Sequence, residues 1–336
     1  WNYMGRKDVV SRQYLSSDEV FADVVNLALY EGERIVQASD LVELDSTEEI
    51  AVTLEESLNK RTGNRKQTHA IQKYRDIVRQ VMIDSTEEYL ARIIVGIEEQ
   101  SKVHYAMPVR NMLYDALNYS DQVSRITERN RLGRSKVSSS AEFLSGFRKD
   151  DRLIPVITIV VTFQSEIWDG PMSVHDMLEL RGIPERLKMR IPNYEMLLLQ
   201  PLNYDESKEH DLQSTFGVVM GLLKYASSME KFQQYVDEHE NILSNMPARA
   251  AAVVNEFCTL DMSEQELEES RVINMCQAVR QMKEVSRREG ELAGEIKGEI
   301  KGQVKVYYQK LNYSVDQIAQ ELGMSVEAVE EIIRTL

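Results

Sequence analysis

The sequence predicts an α/β protein, a mixed sheet flanked by helices, followed by a mostly helical C-terminal half. Three observations carry this. The apolar runs Tyr89 to Ile97 and Leu153 to Phe163 are dense in β-branched residues, as expected of strands covered on both faces. Between them Met107, Val109, Met112, Leu113, Ala116, Leu117 and Tyr119 recur at helical spacing. From Asp211 onward the pattern is helical almost throughout.

In chain order, Ser17 or Asp18 caps a first helix through Val20, Phe21, Val24, Val25, Leu27 and Ala28, which ends by Gly32. Leu41 to Asp45 and Glu49 to Leu54 read as the strands of a hairpin, followed by a basic loop turning at Gly63-Asn64. Tyr74 to Ile83 reads as a strand, Asp84-Ser85-Thr86 as a turn, and Tyr89 to Ile97 as a buried strand delivering Glu98, Glu99 and Gln100. A helix follows from about Tyr105 to Val123, with Pro108 in its first turn, then a charged, Ser-rich loop from Arg125 to Ser140. Beyond the strand at 153–163, Trp168 to Pro171 is a turn, Met172 to Leu180 a short helix and Tyr194 to Leu199 an edge strand. Helices are expected at 212–229, 231–243, 247–257 and, as one long polar element, 263–289. The expected organisation is a core at 1–180, a helical extension at 181–288, a Gly-repeat segment at 289–306 and a small module at 307–336.

Composition sets limits. Hydrophobic residues make up 43% and charged residues 28%, ordinary for a globular protein, and the longest apolar run is too short to cross a bilayer. No signal peptide is visible. Cys258 and Cys276 cannot build a disulfide framework, so two buried thiols in a reducing cytoplasm are expected. A net charge of −15 argues against general nucleic-acid affinity. The charge is uneven, however. Lys60, Arg61, Arg65, Lys66, Lys73 and Arg75 lie in a stretch without acids, and Arg125, Arg129, Arg131, Arg134 and Lys136 face only Glu128.

Residues i and i+2 of a strand share a face, so Glu98 and Gln100 project together and Glu99 points away. If the strand bearing Asp76 is a neighbour, Asp76 joins them. Two carboxylates and a carbonyl oxygen form a hard oxygen site of the kind that holds Mg²⁺ or Mn²⁺, lowers the pKa of bound water and neutralises charge on a phosphate. Arg110 and Tyr114 lie one helical turn apart, either steering a phosphate or pairing with a carboxylate and filling the core. The five histidines are scattered, and His104, four residues after Gln100, is the one worth following.

Tyr74-Arg-Asp76-Ile-Val, followed by Ile97-Glu98-Glu99-Gln100-Ser101, then Met107, Arg110 and Tyr114, resembles the Rpn family. These are recombination-promoting nucleases, also described as transposases, of the PD-(D/E)XK superfamily. Lys7-Asp8-Val-Val…Tyr14-Leu, Glu142 to Gly146 and Leu153 to Ile157 are similar to it too, so the likeness spans about residues 7 to 180. The resemblance implies a PD-(D/E)XK core in which Asp76 and Glu98 hold the divalent ion. Gln100 stands where the wider superfamily has lysine. That replaces a charge by a dipole and leaves the positive charge to a neighbour such as Arg75. An additional acid from the first helix would be Asp23, with Glu19 and Glu31 competing. The implied activity is Mg²⁺- or Mn²⁺-dependent DNA endonuclease chemistry with little sequence specificity. Lys60, Arg61, Arg65, Lys66, Arg75, Arg110 and Tyr114 would meet the DNA backbone. A non-catalytic, DNA-binding or regulatory protein on the same fold, or a transposition accessory, is the alternative.

Gly290, Gly294, Gly298 and Gly302 recur every fourth residue. At about 1 kcal/mol each against alanine, they disfavour a helix standing alone. The segment is expected to be either a linker or a close-approach helix contributing to a homo-oligomer, such as a dimer. Ser314-Val-Asp-Gln317 and Ser325 then cap two short helices in helix-turn-helix outline. With one basic residue, Arg334, against five acids, a protein-interaction or dimerisation module is expected rather than a DNA reader.

Overall fold

A computed structural model describes residues 5–44, 49–50, 71–72, 76–86, 89–133 and 139–336. The chain divides into two units, 1–275 and 276–336.

The first unit opens with α1 (Arg6–Leu15) and α2 (Asp18–Leu29). The sequence reading starts at α2 and passes over α1, which buries only Ser11, Tyr14 and Leu15 and so leaves little periodic signal. Its start is fixed by Asp8, whose Oδ2 accepts the Gly5 N–H (3.2 Å). Gly32, at φ +90°, closes the end of α2 as expected, donating its N–H to the Asn26 carbonyl (2.9 Å).

The strands before the next helix are β1 (Leu41–Glu43), β2 (Glu49–Ile50), β3 (Ile71–Gln72), β4 (Ile77–Thr86) and β5 (Tyr89–Glu99). Among the described residues the expected hairpin pairing is replaced: β1 pairs antiparallel with β4, and β2 with β3 in a separate ribbon. β4 also runs through Asp84-Ser85-Thr86, the expected turn, with an irregular register there. After α3 (Met107–Leu132) and α4 (Ser140–Ser145) come β6 (Val156–Val161), α5 (Glu185–Lys188) and β7 (Leu197–Leu199). The main sheet is mixed, ordered β1-β4-β5-β6-β7, with β4 antiparallel to β5 and β5, β6 and β7 parallel. Since β7 is its edge strand, the core extends past residue 180.

Parallel neighbours need a crossover, and α3 provides it between β5 and β6. It is longer than expected, because no glycine or proline interrupts it between Pro108 and Gly133. Arg125, Arg129 and Arg131, expected in a loop, therefore sit on its last turns, while Arg134 and Lys136 fall outside the described residues. Polar clamps pin α3 to the sheet. Buried Asp115 accepts from Thr158 (2.7 Å) and Tyr194 (2.6 Å), the Tyr119 hydroxyl accepts the Val156 N–H (3.0 Å), and Gln122 bonds both polar groups of the Ile154 backbone. Met107, at the start of α3, packs with Val160, Trp168 and Met196.

The remaining helices are α6 (Phe216–Tyr225), α7 (Met229–Glu238), α8 (Glu240–Leu243), α9 (Ala248–Cys258) and α10 (Glu264–Glu269), and β8 (Met246–Pro247) pairs with β9 (Val272–Ile273). A ring cluster of Tyr14, Phe163, Phe216 and Phe257, with centroids 5.8–6.3 Å apart, ties α1, α6 and α9 to the end of β6. Where a helix is expected at 172–180 only His175–Met177 coils, because Asp176 takes the Met172 and Ser173 N–H groups into a local turn. The expected helix at 263–289 is interrupted by β9.

In the second unit α11 (Met275–Gln309), which begins at the boundary, runs unbroken through all four glycines. Glu, Ala, Leu and Lys fill most positions between them, ion pairs join Arg287 to Glu284 and Glu291, and its last turns are packed. Ile300, Val304 and Tyr307 close a small core with α12 (Val315–Leu322) and α13 (Val326–Arg334), capped by Ser314 and Ser325. The expectation of a weak helix thus gives way to a continuous one, and the space beside Gly294, Gly298 and Gly302 is open. Among the described residues no helix is long and apolar enough to cross a membrane. Cys276 is buried as expected, whereas Cys258 is only half-buried.

Candidate functional site

The site sits where β4 begins and β5 ends. Antiparallel register pairs Ile77 with Ile97, so Asp76, one residue before β4, lies opposite Glu98. The Asp76 carboxylate accepts the Glu99 N–H through Oδ2 (3.0 Å). Burial pushes the Asp76 pKa up. The Glu99 N–H and the guanidinium groups of Arg12 and Arg110 pull against that shift.

Glu98 is fully buried and faces α3, on the same side of the sheet as its register neighbour Val160. Arg110 Nη2 approaches its Oε2 at 3.2 Å, and Arg110 Nε donates to the Tyr114 hydroxyl (3.0 Å). Burial works against the guanidinium charge, yet Glu98, Tyr114 and Asp76 together keep its pKa above the ordinary arginine value. Tyr114 is buried, and its pKa is raised by that burial and by Glu98. Of the two readings of this helical pair, the structure shows the arginine on a carboxylate and the tyrosine in the core. That carboxylate is the proposed metal ligand.

Glu99 points to the opposite face, as expected, but is not idle there. It meets α1, where burial, Asp8 and Asp76 together lift its pKa to about 8 against a pull from Ser11. Asp8, Ser11 and Arg12 therefore belong to the site and were missed. Their i, i+3, i+4 spacing puts them on one helical face, a signal readable only once residues 6–15 are taken as a helix.

Gln100 turns its side chain back, donating through Nε2 to the Glu99 carbonyl (2.6 Å), while its N–H bonds the Val161 carbonyl (3.0 Å). The amide nitrogen is thus spent on the backbone of its own strand. Asp23 is elsewhere: its carboxylate accepts from the Gln213 N–H, the Ser214 N–H and the Ser214 hydroxyl (2.6–3.1 Å), fixing the approach to α6. The acid that the first helices contribute to the site is Asp8. Glu19 takes the Ser17 hydroxyl (2.7 Å), and Glu31 lines a separate cavity beside Tyr204. His104 is exposed, its carbonyl accepting the Met107 N–H at the start of α3. Lys60, Arg61, Arg65, Lys66, Lys73 and Arg75 lie outside the described residues.

Beside the site an open groove of about 530 Å³ is bordered by Arg6, Lys7, Asp8, Lys102 and Gln164. Arg6 is held by Glu256 (3.2 Å) and Glu264 (2.7 Å), and Lys7 lies over the Phe257 ring.

Among the described residues no group of three or more His, Cys, Asp or Glu side chains is gathered to hold a metal ion. The strand register instead sets one carboxyl side chain, Asp76, opposite another, Glu98. Their donors are all oxygens, and that fits Mg²⁺, which is commonly bound by one or two carboxylates with waters and substrate phosphate completing the shell. No family model, curated protein or solved structure matches the chain. The plain description is an α/β protein with a buried carboxylate–guanidinium centre at the end of a mixed sheet.

Proposed function

We propose that this chain is a divalent-metal-dependent DNA endonuclease with a PD-(D/E)XK-type core, belonging to the Rpn family. The observation that carries the reading is the register opposition of Asp76 and Glu98 at adjacent strand ends, with an arginine and a tyrosine delivered over Glu98 by the crossover helix. The order α1, β1, β4, β5, α3, β6, with β4 and β5 antiparallel and β6 parallel to β5, supports the same reading.

Asp76 and Glu98 would hold Mg²⁺ or Mn²⁺, which supplies a lowered water pKa and neutralises charge on the phosphate. Arg12 and Arg110, the cations that bear on Asp76, stand in for the charge that Gln100 lacks. Arg125, Arg129 and Arg131 lie roughly 22–32 Å along α3 from Arg110 at 1.5 Å per residue, far enough to follow a duplex backbone away from the cut.

The runner-up is a non-catalytic protein on this fold. The Gln100 amide turned to its own backbone and the cation already on Glu98 favour it. Plasmid DNA incubated with Mg²⁺ or Mn²⁺ and wild type, Asp76→Ala or Glu98→Ala decides between them. Nicking by wild type alone supports the nuclease. Equal nicking by all three, or none by any, sinks it.

A further inference from the structure

We propose that Arg110 is a resident stand-in for the divalent ion: its guanidinium occupies Glu98 in the metal-free protein and leaves for a nucleic-acid phosphate when the ion is bound. The inference rests on the divalent-ion reading of Asp76 and Glu98.

Three observations lead to it. Glu98 is fully buried, and a carboxylate there needs a counter-charge. The Arg110 guanidinium provides one at 3.2 Å, on the ligand that a metal would use. A dication and a guanidinium a few ångströms apart repel each other in a site with little water, so binding of the ion weakens the hold of Arg110 on Glu98.

The geometry also supplies the route out. Arg110 holds Tyr114 through Nε and Glu98 through Nη2, so the two contacts use different edges of the planar group. Its side chain keeps 30% of its surface exposed while Glu98 keeps none. The guanidinium can therefore turn about the Tyr114 contact, releasing Glu98 while presenting its outer edge to solvent. A planar fork of N–H donors there suits a phosphate diester, to which arginine binds in bidentate fashion. Tyr114 is then a positioning residue, keeping the side chain at the site after its carboxylate is gone. Metal loading and phosphate capture become coupled: the cation that guards the empty site becomes a substrate contact in the loaded one.

The test needs no turnover. Protein labelled with ¹⁵N is titrated with Mg²⁺ alone, following the Arg110 Nε–H signal, which is assigned by its absence from Arg110→Lys. In parallel, thermal unfolding reports Mg²⁺ binding, with Asp76→Ala as the control for site occupancy. The expected result is a shift of the Arg110 signal that saturates at the same Mg²⁺ concentration as the Asp76-dependent rise in Tm. Arg110→Gln, which carries no competing charge, is expected to bind Mg²⁺ about fivefold more tightly, and Arg110→Lys about as wild type does. An Asp76-dependent rise in Tm with an unmoved Arg110 signal overturns the exchange while leaving the metal site intact. No Asp76-dependent stabilisation at all overturns the metal reading and this inference with it.

Discussion

Glu98 and Glu99 are neighbours in sequence, both buried at the end of β5, yet the protein answers their charges in opposite ways. On the α3 face Glu98 meets the Arg110 guanidinium at 3.2 Å. On the α1 face Glu99 meets Ser11 and Asp8, the charge of Asp76 adds to that of Asp8, and with burial its pKa climbs to about 8. One carboxyl is neutralised by a cation and the other by a proton. The alternation of a strand is enough to create the difference, because one residue of advance changes which helix a side chain meets. A carboxylate with a dislodgeable counter-ion can take a metal, whereas a protonated carboxyl is a structural acid near pH 7.

The largest expected effect separates the two by pH. A carboxyl whose pKa is raised in the folded state keeps its proton while the unfolded chain releases it. Stability is therefore undiminished below the unfolded value near 4.5 and falls as pH rises to about 8, by about 1.4 kcal/mol per pH unit. Glu99→Gln mimics the protonated form and should remove that slope. Urea unfolding midpoints from pH 5 to 9 check this, and parallel slopes for wild type and variant would show that Glu99 is ionised throughout. On activity the order reverses. If the proposed nuclease reading holds, Glu98→Gln should lower plasmid nicking by about 100-fold or more, since it would withdraw a proposed metal ligand, while Glu99→Gln at pH 7 should stay within about threefold. Similar losses from both would erase the functional distinction between the faces.

A smaller effect sharpens the Glu98 side. Arg110→Ala leaves a buried carboxylate without its cation and should destabilise the metal-free protein by on the order of 3 kcal/mol at pH 7. Adding Glu98→Gln should recover much of this, because the coupled partner is then neutral too. Chemical denaturation of the two single variants and the double variant reads the coupling directly, and simple additivity would mean that the pair contributes nothing.

How far this was legible in the sequence depended on which kind of signal each element carried. β5, β6 and the first turns of α3 are periodic and buried, so their apolar patterns placed them, and with them Glu98, Glu99, Arg110 and Tyr114. The polar last turns of α3 read instead as a loop. α1 buries three residues in ten, too few to mark a face, and the acidic contribution of the first helices was consequently sought at Asp23 instead of Asp8. Pairing was harder still. Leu41–Glu43 and Glu49–Ile50 look like a hairpin because they are close in sequence, whereas β1 instead extends the sheet alongside β4. The glycines of α11 were weighed by their intrinsic cost, which the packed end of that helix and its charged pairs outweigh. The contact between Gln100 and its own backbone has no sequence signature, since an amide at a strand end can turn either way.

The smallest effect concerns Asp8, the residue that the periodic signal concealed. Its carboxylate does two things: it accepts the Gly5 N–H at the start of α1, and its charge adds to the upward pressure on Glu99. Asp8→Asn separates them, because an amide oxygen can still accept the Gly5 N–H while the charge is gone. The helix start should persist, and the upper edge of the Glu99 titration should move down from about 8, raising stability at pH 8 by about 1 kcal/mol or less, since Asp8 is half-exposed and screened. The same urea series measures it. An unmoved edge would assign the elevation of Glu99 to burial and Asp76 alone. The α1 face would then be an apolar lid over a neutral acid rather than a charged partner of the site.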